Sequence, residues 1–129
     1  MIEVYTDGAS TGNPGHSGAG IYIKANGKTY EHSYVLGEMS NHEAEFRAVV
    51  KAMDLCCEYF PGEIISLRSD SKLVVETIEK DFTKNQAFLP FLEQFRKTMN
   101  HFPHVFIKWI PEKQNTHADY LARKALREV

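Results

Sequence analysis

Hydrophobic and polar residues alternate along five short stretches of the chain, and a period of two is typical of β-strands. In the first stretch, Ile2, Val4 and Thr6 alternate with more polar residues. Gly8 should then end the strand, which leaves Asp7 as the last residue before a turn. The remaining strands are expected at 19–24, 28–35, 64–69 and 105–110.

Asn26-Gly27 separates the second and third stretches and is a strong hairpin signal, so the first three strands should form an antiparallel meander. Helices are predicted where apolar residues recur with a period of 3.6. The first should begin at Ser40, whose spacing to Glu43 matches a capping box, and should run to about Glu58. The others are expected at 71–80, at 87–100 and after a cap at 115 or 116.

The order of these elements is β-β-β-α-β-α-α-β-α. It predicts a single α/β domain over residues 1–129, with a five-stranded mixed sheet and helices on both faces. The right-handed crossover rule places the first and fourth strands next to each other and parallel. Three antiparallel strands should therefore be followed by two parallel ones, and the carboxyl ends of the first and fourth strands should meet at one edge.

The composition excludes some classes of protein but does not identify the function. The chain is 43% hydrophobic and 25% charged, as in an ordinary globular protein, and no apolar run is long enough to cross a bilayer. Cys56 and Cys57 are adjacent, which suits neither a disulfide nor a zinc site. A reduced, cytoplasmic chain without a membrane partner is therefore expected. The net charge of −2 counts mildly against nucleic acid, but two bound divalent cations would make the total positive.

Four carboxylates are predicted at the edge of the sheet where the first and fourth strands end. Asp7 and Asp70 follow strands, and Glu45 and Asp119 lie in the first turns of helices. Each could separately be a turn residue, a helix cap or an acid favoured by the helix dipole, which is the commoner role of a single such residue. Four acids at one edge would repel one another and have raised pKa values unless cations bind among them. Together they predict two Mg²⁺ or Mn²⁺ ions ~4 Å apart that promote phosphodiester hydrolysis.

Four motifs, in the same order along nearly the whole chain, resemble those of ribonuclease H type 1. They are Thr6–Ser10 followed by Gly12–Gly15, Ser40–Glu45, Ser69–Ser71 and Ala118–Ala122. The resemblance implies the ribonuclease H fold and a magnesium-dependent endonuclease. Such an enzyme hydrolyses the RNA strand of RNA–DNA hybrids and leaves 5′-phosphate ends. No obligate protein partner is indicated, and we expect a monomer.

By the same resemblance, four residues bind the two magnesium ions, for which manganese can substitute: Asp7, Glu45, Asp70 and Asp119. Asn13 and Asn41 match positions that contact the minor groove of the substrate, where 2′-hydroxyls distinguish RNA from DNA. Ser71 matches a third substrate-binding position, although a hydroxyl there is equally suited to capping a helix.

Two features of the better-known bacterial members are missing. The loop before the last acid, residues 111–115, contains no histidine, and the segment 79–85 is short and barely basic. The expected consequence is weaker hybrid binding with a steep salt dependence. A weakly active or non-catalytic member that binds nucleic acid or a protein is therefore an alternative. A 3′–5′ exonuclease is disfavoured because the first motif has no Asp-x-Glu.

Aromatic and basic residues outside the motifs allow two interpretations. Lys72 and three basic residues of the last helix could contact phosphates or lie on a solvated face. Glu112 is not expected to take over the role of the missing histidine. Bases could stack on several aromatic residues, whose spacing nevertheless favours the core: Trp109, Phe88, Phe91, Phe95, Phe102 and Phe106.

Overall fold

The computed structural model describes residues 1–128 of the chain. Within that range, the strands are β1 (Ile2–Ser10), β2 (Gly15–Ala25), β3 (Lys28–Met39), β4 (Ile65–Ser69) and β5 (Val105–Trp109). The helices are α1 (Asn41–Tyr59), α2 (Lys72–Lys80), α3 (Leu89–Met99) and α4 (Thr116–Leu126), and a 3₁₀ turn at Glu112–Gln114 precedes α4. The order and type of the elements are as predicted.

The strands form one mixed sheet in the order β3-β2-β1-β4-β5. β1 lies in the middle, antiparallel to β2 and parallel to β4, and β4 is parallel to β5. This confirms the prediction of three antiparallel strands followed by two parallel ones, with the crossover through α1 placing β4 beside β1. The two central strands therefore point toward the same edge of the sheet.

β1 continues past Gly8 to Ser10, so the prediction that Asp7 ends the strand is wrong. Asp7 instead pairs with Gly20 of β2 in regular antiparallel register. Gly8 is needed for close packing rather than for a turn, since a Cβ atom there would lie 2.3 Å from the carbonyl carbon of Ala44 in α1. Because Gly8 has no side chain, the first turn of α1 rests directly on the backbone of β1.

The sheet carries helices on both faces, as predicted. α1 approaches the sheet at Gly8. Gly20 pairs with the preceding residue of β1 and therefore faces the other way, where a Cβ atom would lie 2.0 Å from the carbonyl oxygen of Ala118 in α4. The apolar core is fully buried between the sheet, α1 and α3, at residues such as Val4, Ile21, Phe46 and Leu92.

Two aromatic residues that the sequence pattern assigns to the core lie at the surface instead. Phe106 and Trp109 are 53% and 40% exposed on β5, an edge strand with a neighbour on one side only. The other phenylalanines of that set are buried or half-buried, at Phe88, Phe91, Phe95 and Phe102. The spacing alone therefore misplaces the residues at the margin of the sheet.

Two smaller features of residues 1–128 concern the cysteines and the length of the helices. Cys56 and Cys57 are free thiols, as their adjacency predicts. No helix in this range combines the length and the apolar character needed to cross a membrane.

Candidate metal-binding site at the edge of the sheet

Asp7 lies on β1, three residues before the strand ends, and only 5% of its surface is exposed. The strand is held on both sides by β2 and β4, and the hydroxyl of Thr6 donates a hydrogen bond to the carbonyl oxygen of Arg68 across the boundary with β4. Burying a carboxylate in this setting is costly unless a cation or hydrogen-bond donors stabilise it. The placement of Asp7 therefore indicates a functional site.

Glu45 is placed by the start of α1. The hydroxyl of Ser40 accepts the N–H of Glu43 at 3.1 Å, and the Glu43 carboxylate accepts the N–H of Ser40 at 3.2 Å, which completes the predicted capping box. The close approach at Gly8 brings this turn against β1, and Glu45 is only 7% exposed. Its Oε2 atom is buried and has no hydrogen-bond partner within the described residues.

Asp70 follows β4 and is held by a residue that sequence reasoning assigns to a different role. The buried amide of Asn115 donates to Oδ2 of Asp70 at 3.2 Å and to the carbonyl oxygen of Thr6 at 2.8 Å. The sequence pattern gives Asn115 a capping role, but its side chain makes no capping hydrogen bond. No sequence signal identifies this contact, because the bonded residues are 45 and 109 positions away.

The carboxylate oxygens of Asp7, Glu45 and Asp70 converge, with one oxygen of each lying within 4.8 Å of the others. Burial is the main cause that raises the pKa of Asp7 and of Glu45, and the negative charge of nearby acids raises both further. Burial also raises the pKa of Asp70, which the hydrogen bond from Asn115 partly offsets. Three acids this close can all be ionised only when positive charge lies among them.

These residues fit a divalent cation such as Mg²⁺ or Mn²⁺. All of the converging donors are carboxylate oxygens, which such hard ions prefer. Without a cation, Glu45 Oε2 is a buried acceptor that receives no hydrogen bond from residues 1–128, an arrangement that folded proteins generally avoid.

Asp119, in the first turn of α4, lines the same pocket but does not belong to the converging group of three. Both of its carboxylate oxygens accept hydrogen bonds from Nε of Arg123, at 3.0 and 3.1 Å. Glu112, in the 3₁₀ turn, also lines the pocket, and its negative charge contributes to the raised pKa of Asp70. All four predicted acids thus border one pocket, with Asp119 held on its rim.

The predicted substrate-binding residues divide into two groups. Asn41 lines the acidic pocket, and its backbone N–H donates to Oδ1 of Asn13 at 3.2 Å, so the two asparagines adjoin each other. Ser71 caps α2, since its hydroxyl accepts the N–H of Val74 at 3.2 Å. Asn41 therefore borders the pocket and Asn13 adjoins it through Asn41, whereas Ser71 caps a helix outside the pocket lining.

Comparison with known proteins relates this chain to a family of nucleases. Residues 1–127 match the family model described as RNase H. EbsB of Enterococcus faecalis, provisionally named a hydrolase, is 40% identical over 129 residues, and the match covers 99% of this chain and 96% of EbsB. Ribonuclease HI of Halobacterium salinarum is 30% identical, and the match covers 99% of this chain but only 65% of that protein.

Solved structures resemble this fold along its whole length. RNase H1 from Halobacterium salinarum superposes with a TM-score of 0.91 at 28% identity, covering 99% of this chain and 98% of that chain. LC11-RNase H1, solved in complex with an RNA/DNA hybrid, superposes with a TM-score of 0.90 at 29% identity and the same coverages. The predicted fold class is therefore confirmed.

Proposed function

Because the chain belongs to the RNase H family, we propose that it is a metal-dependent endonuclease that hydrolyses the RNA strand of RNA–DNA hybrids. The observation that carries this proposal is the convergence of carboxylate oxygens from Asp7, Glu45 and Asp70 within 4.8 Å in an open pocket. A neighbour of very similar fold, LC11-RNase H1, is bound to an RNA/DNA hybrid, which supports the same substrate here. Asn41 at the pocket and the adjoining Asn13 provide polar groups for the 2′-hydroxyls of the RNA strand.

Each acid has its own part in holding two Mg²⁺ ions, for which Mn²⁺ can substitute. Asp7 contributes from the central strand, and Glu45 contributes a buried oxygen to which no group of the described chain donates a hydrogen bond. Asp70 is oriented by Asn115, and Asp119 completes the set from α4. Divalent cations bound by these residues supply the charge that stabilises a phosphodiester transition state and the acidity that activates the attacking water.

Cleavage of a labelled RNA–DNA hybrid in Mg²⁺ or Mn²⁺ tests this function. Glu45→Gln removes a metal-binding charge and should lower the cleavage rate by more than about 100-fold, because even the outer partners of metal ligands are commonly worth 10- to 100-fold. Glu58→Gln, at the exposed end of the same helix, is the matched control and should cleave like the wild type. Equal cleavage by wild type and Glu45→Gln would place the activity at another site or in a contaminant.

Two further outcomes separate the alternatives. A hybrid with blocked ends should still be cut, and cleavage that requires a free 3′ end would indicate an exonuclease. Stabilisation of the protein by Mg²⁺ without any cleavage of the hybrid would favour a non-catalytic member of the family.

A further inference from the structure

A second depression adjoins the acidic pocket and shares Asp70 and Glu112 with it. We call this depression the Trp109 groove; its other lining residues are Lys72, Trp109, Pro111 and Lys113. These residues come from the start of α2, the end of β5 and the segment leading into the 3₁₀ turn. A nucleic-acid strand bound in the acidic pocket could therefore continue directly into the Trp109 groove.

The indole of Trp109 presents an apolar surface beside the acids. Trp109 is 40% exposed, and the Nε1–H of its ring donates to the backbone carbonyl oxygen of Asp70 at 3.1 Å. This bond fixes the ring next to a residue of the metal-binding group and satisfies its polar edge. The exposed part of the ring is thereby left for a ligand, and aromatic rings in such positions stack on nucleotides in proteins that bind single strands.

Two lysines, Lys72 and Lys113, supply positive charge to a groove that Asp70 and Glu112 also line, and ammonium groups are suited to bind phosphate. The amino group of Lys72 lies 4.8 Å from the centre of the Trp109 ring. Within the described residues, neither Lys72 nor Lys113 forms a salt bridge. Glu76 and Glu79 border the far side of the Lys72–Trp109 pair, where Lys72 is the only lysine. The side toward Lys113 has two lysines beside Asp70 and Glu112, and Asp70 is one of the proposed metal ligands, so this side is the one suited to an anion when metal is bound.

We propose that the Trp109 groove is a substrate subsite for one nucleotide next to the cleaved phosphodiester. Lys72 and Lys113 bind its phosphate, and the indole of Trp109 packs on its sugar or base. The subsite rests on the proposed function, because it takes a hybrid as the occupant of the adjoining acidic pocket. It places cationic contacts close to the cleavage position in a chain whose segment 79–85 is barely basic.

Trp109 itself reports on the groove, because it is the only tryptophan in the sequence. The Asp7→Asn variant is mixed in Mg²⁺ with a labelled RNA–DNA hybrid, and anisotropy of the label and tryptophan emission are recorded together. Occupation of the subsite should quench or shift the emission over the same hybrid concentrations that raise the anisotropy. A rise in anisotropy with unchanged emission would overturn the subsite and leave the proposed function intact.

Lysine variants test the phosphate contact against a control at the opposite edge of the sheet. Lys72→Ala should weaken hybrid binding by about three- to tenfold and reduce the slope of log K against log salt by about 0.9, the value for one phosphate contact. Lys28→Ala, at the exposed start of β3 and far from the carboxyl end of β1, should leave both binding and slope unchanged. Equal effects of the two variants would show that Lys72 acts only through the overall charge of the protein, and would contradict the subsite.

Two tryptophan variants separate packing from positioning. Trp109→Phe keeps a ring but loses the bond to Asp70, and Trp109→Ala loses both. If the ring packs on the substrate, Trp109→Ala should raise KM on the order of tenfold and Trp109→Phe should largely restore it. A lower kcat with unchanged KM in both variants would show that Trp109 only positions Asp70, and the subsite would be wrong.

Cleavage and binding of the hybrid by wild type and Asp7→Asn show whether the subsite alone is wrong or the proposed function is wrong as well. If the wild type does not cleave the hybrid and neither protein binds it, the proposed function fails and the subsite fails with it. If the wild type cleaves the hybrid but Asp7→Asn does not bind it, the lysine and tryptophan variants are made in the wild-type background. Their KM values then decide whether the groove binds the substrate.

Discussion

Asn115 is a neutral side chain that orders the acidic pocket. Its buried amide donates to the Thr6 carbonyl and the Asp70 carboxylate, so it joins β1, the end of β4 and the start of α4. Asn115→Ala leaves both acceptors without this donor and should lower the free energy of unfolding by about 1–3 kcal/mol. Because Asp70 also loses its orientation, the affinity for Mg²⁺ should fall by about 10- to 100-fold. Urea unfolding and the Mg²⁺ dependence of thermal stability measure the two effects.

Gln114→Ala is the control for that variant, because Gln114 is the exposed neighbour in the 3₁₀ turn. Its free energy of unfolding should stay within about 0.5 kcal/mol of the wild type, with unchanged metal affinity. If the two variants lose stability and affinity equally, the turn rather than the Asn115 amide accounts for the loss.

The acids of the site can be predicted from the sequence, but most of their partners cannot. Carboxylates near the carboxyl ends of strands and in the first turns of helices gather at one edge in this topology, so the pattern is sufficient to nominate them even though β1 continues past Asp7. The bond from Asn115 to Asp70 depends on how α4 docks, which no local pattern specifies. Arg123 is an exception: it lies four residues after Asp119 on a helix, and that spacing by itself predicts the observed pair.

Among the elements, α1 depends on its capping box for the position of its first turn. Ser40→Ala removes the acceptor of the Glu43 N–H and should cost about 1 kcal/mol in the free energy of unfolding, whereas Ser40→Gly should cost only a few tenths. Chemical denaturation of the two variants checks this difference. An unchanged free energy of unfolding in Ser40→Ala would mean that the hydroxyl does not stabilise the helix start.

Stability and metal binding should be more sensitive to the contact between α1 and β1 than to the capping box of α1. In Gly8→Ala, the new Cβ would lie 2.3 Å from the carbonyl carbon of Ala44 and 2.4 Å from the backbone nitrogen of Glu45, neither of which can rotate away. The helix must shift, so the free energy of unfolding should fall by about 1–3 kcal/mol or more. Because Glu45 moves with the helix, stabilisation by Mg²⁺ should also shrink, as thermal unfolding with and without the ion can show. Ser40→Ala should lose stability but keep that response, and the same loss of response in both would contradict the argument.

The element boundaries show what the hydrophobic pattern omits. Every helix and strand is predicted by periodicity, but glycine has two opposite meanings in a strand, a break or a close approach. At Gly8 it is a close approach, which is apparent only once α1 is known to rest on β1. Phe106 and Trp109 fit a buried pattern equally well, yet they lie on an edge strand.

At the scale of the whole molecule, the buried acids make stability depend on pH in an unusual direction. In the metal-free protein, the pKa values of Asp7 and Glu45 are raised above their ordinary values of 3.8 and 4.5, mainly by burial. The native state therefore binds more protons than the unfolded state between about pH 4 and the raised native pKa values. Since the free energy of unfolding decreases with pH wherever the native state holds more protons, these groups destabilise the fold as pH rises through that window.

Comparing wild type with Asp7→Asn isolates this contribution from all other titrating groups. In a chelator at pH 8, Asp7→Asn should be more stable than wild type by at least about 1.4 kcal/mol, the equivalent of one pKa unit, and the difference should shrink toward pH 5. Saturating Mg²⁺ should reverse the order, because an ion at 100 times its Kd stabilises the wild type by about 2.7 kcal/mol and the variant binds it weakly. Urea unfolding at both pH values, with and without Mg²⁺, gives the four comparisons. A variant that is less stable than wild type in the chelator at pH 8 would show that Asp7 is stabilised by protein groups alone, and the metal site would lose its electrostatic basis.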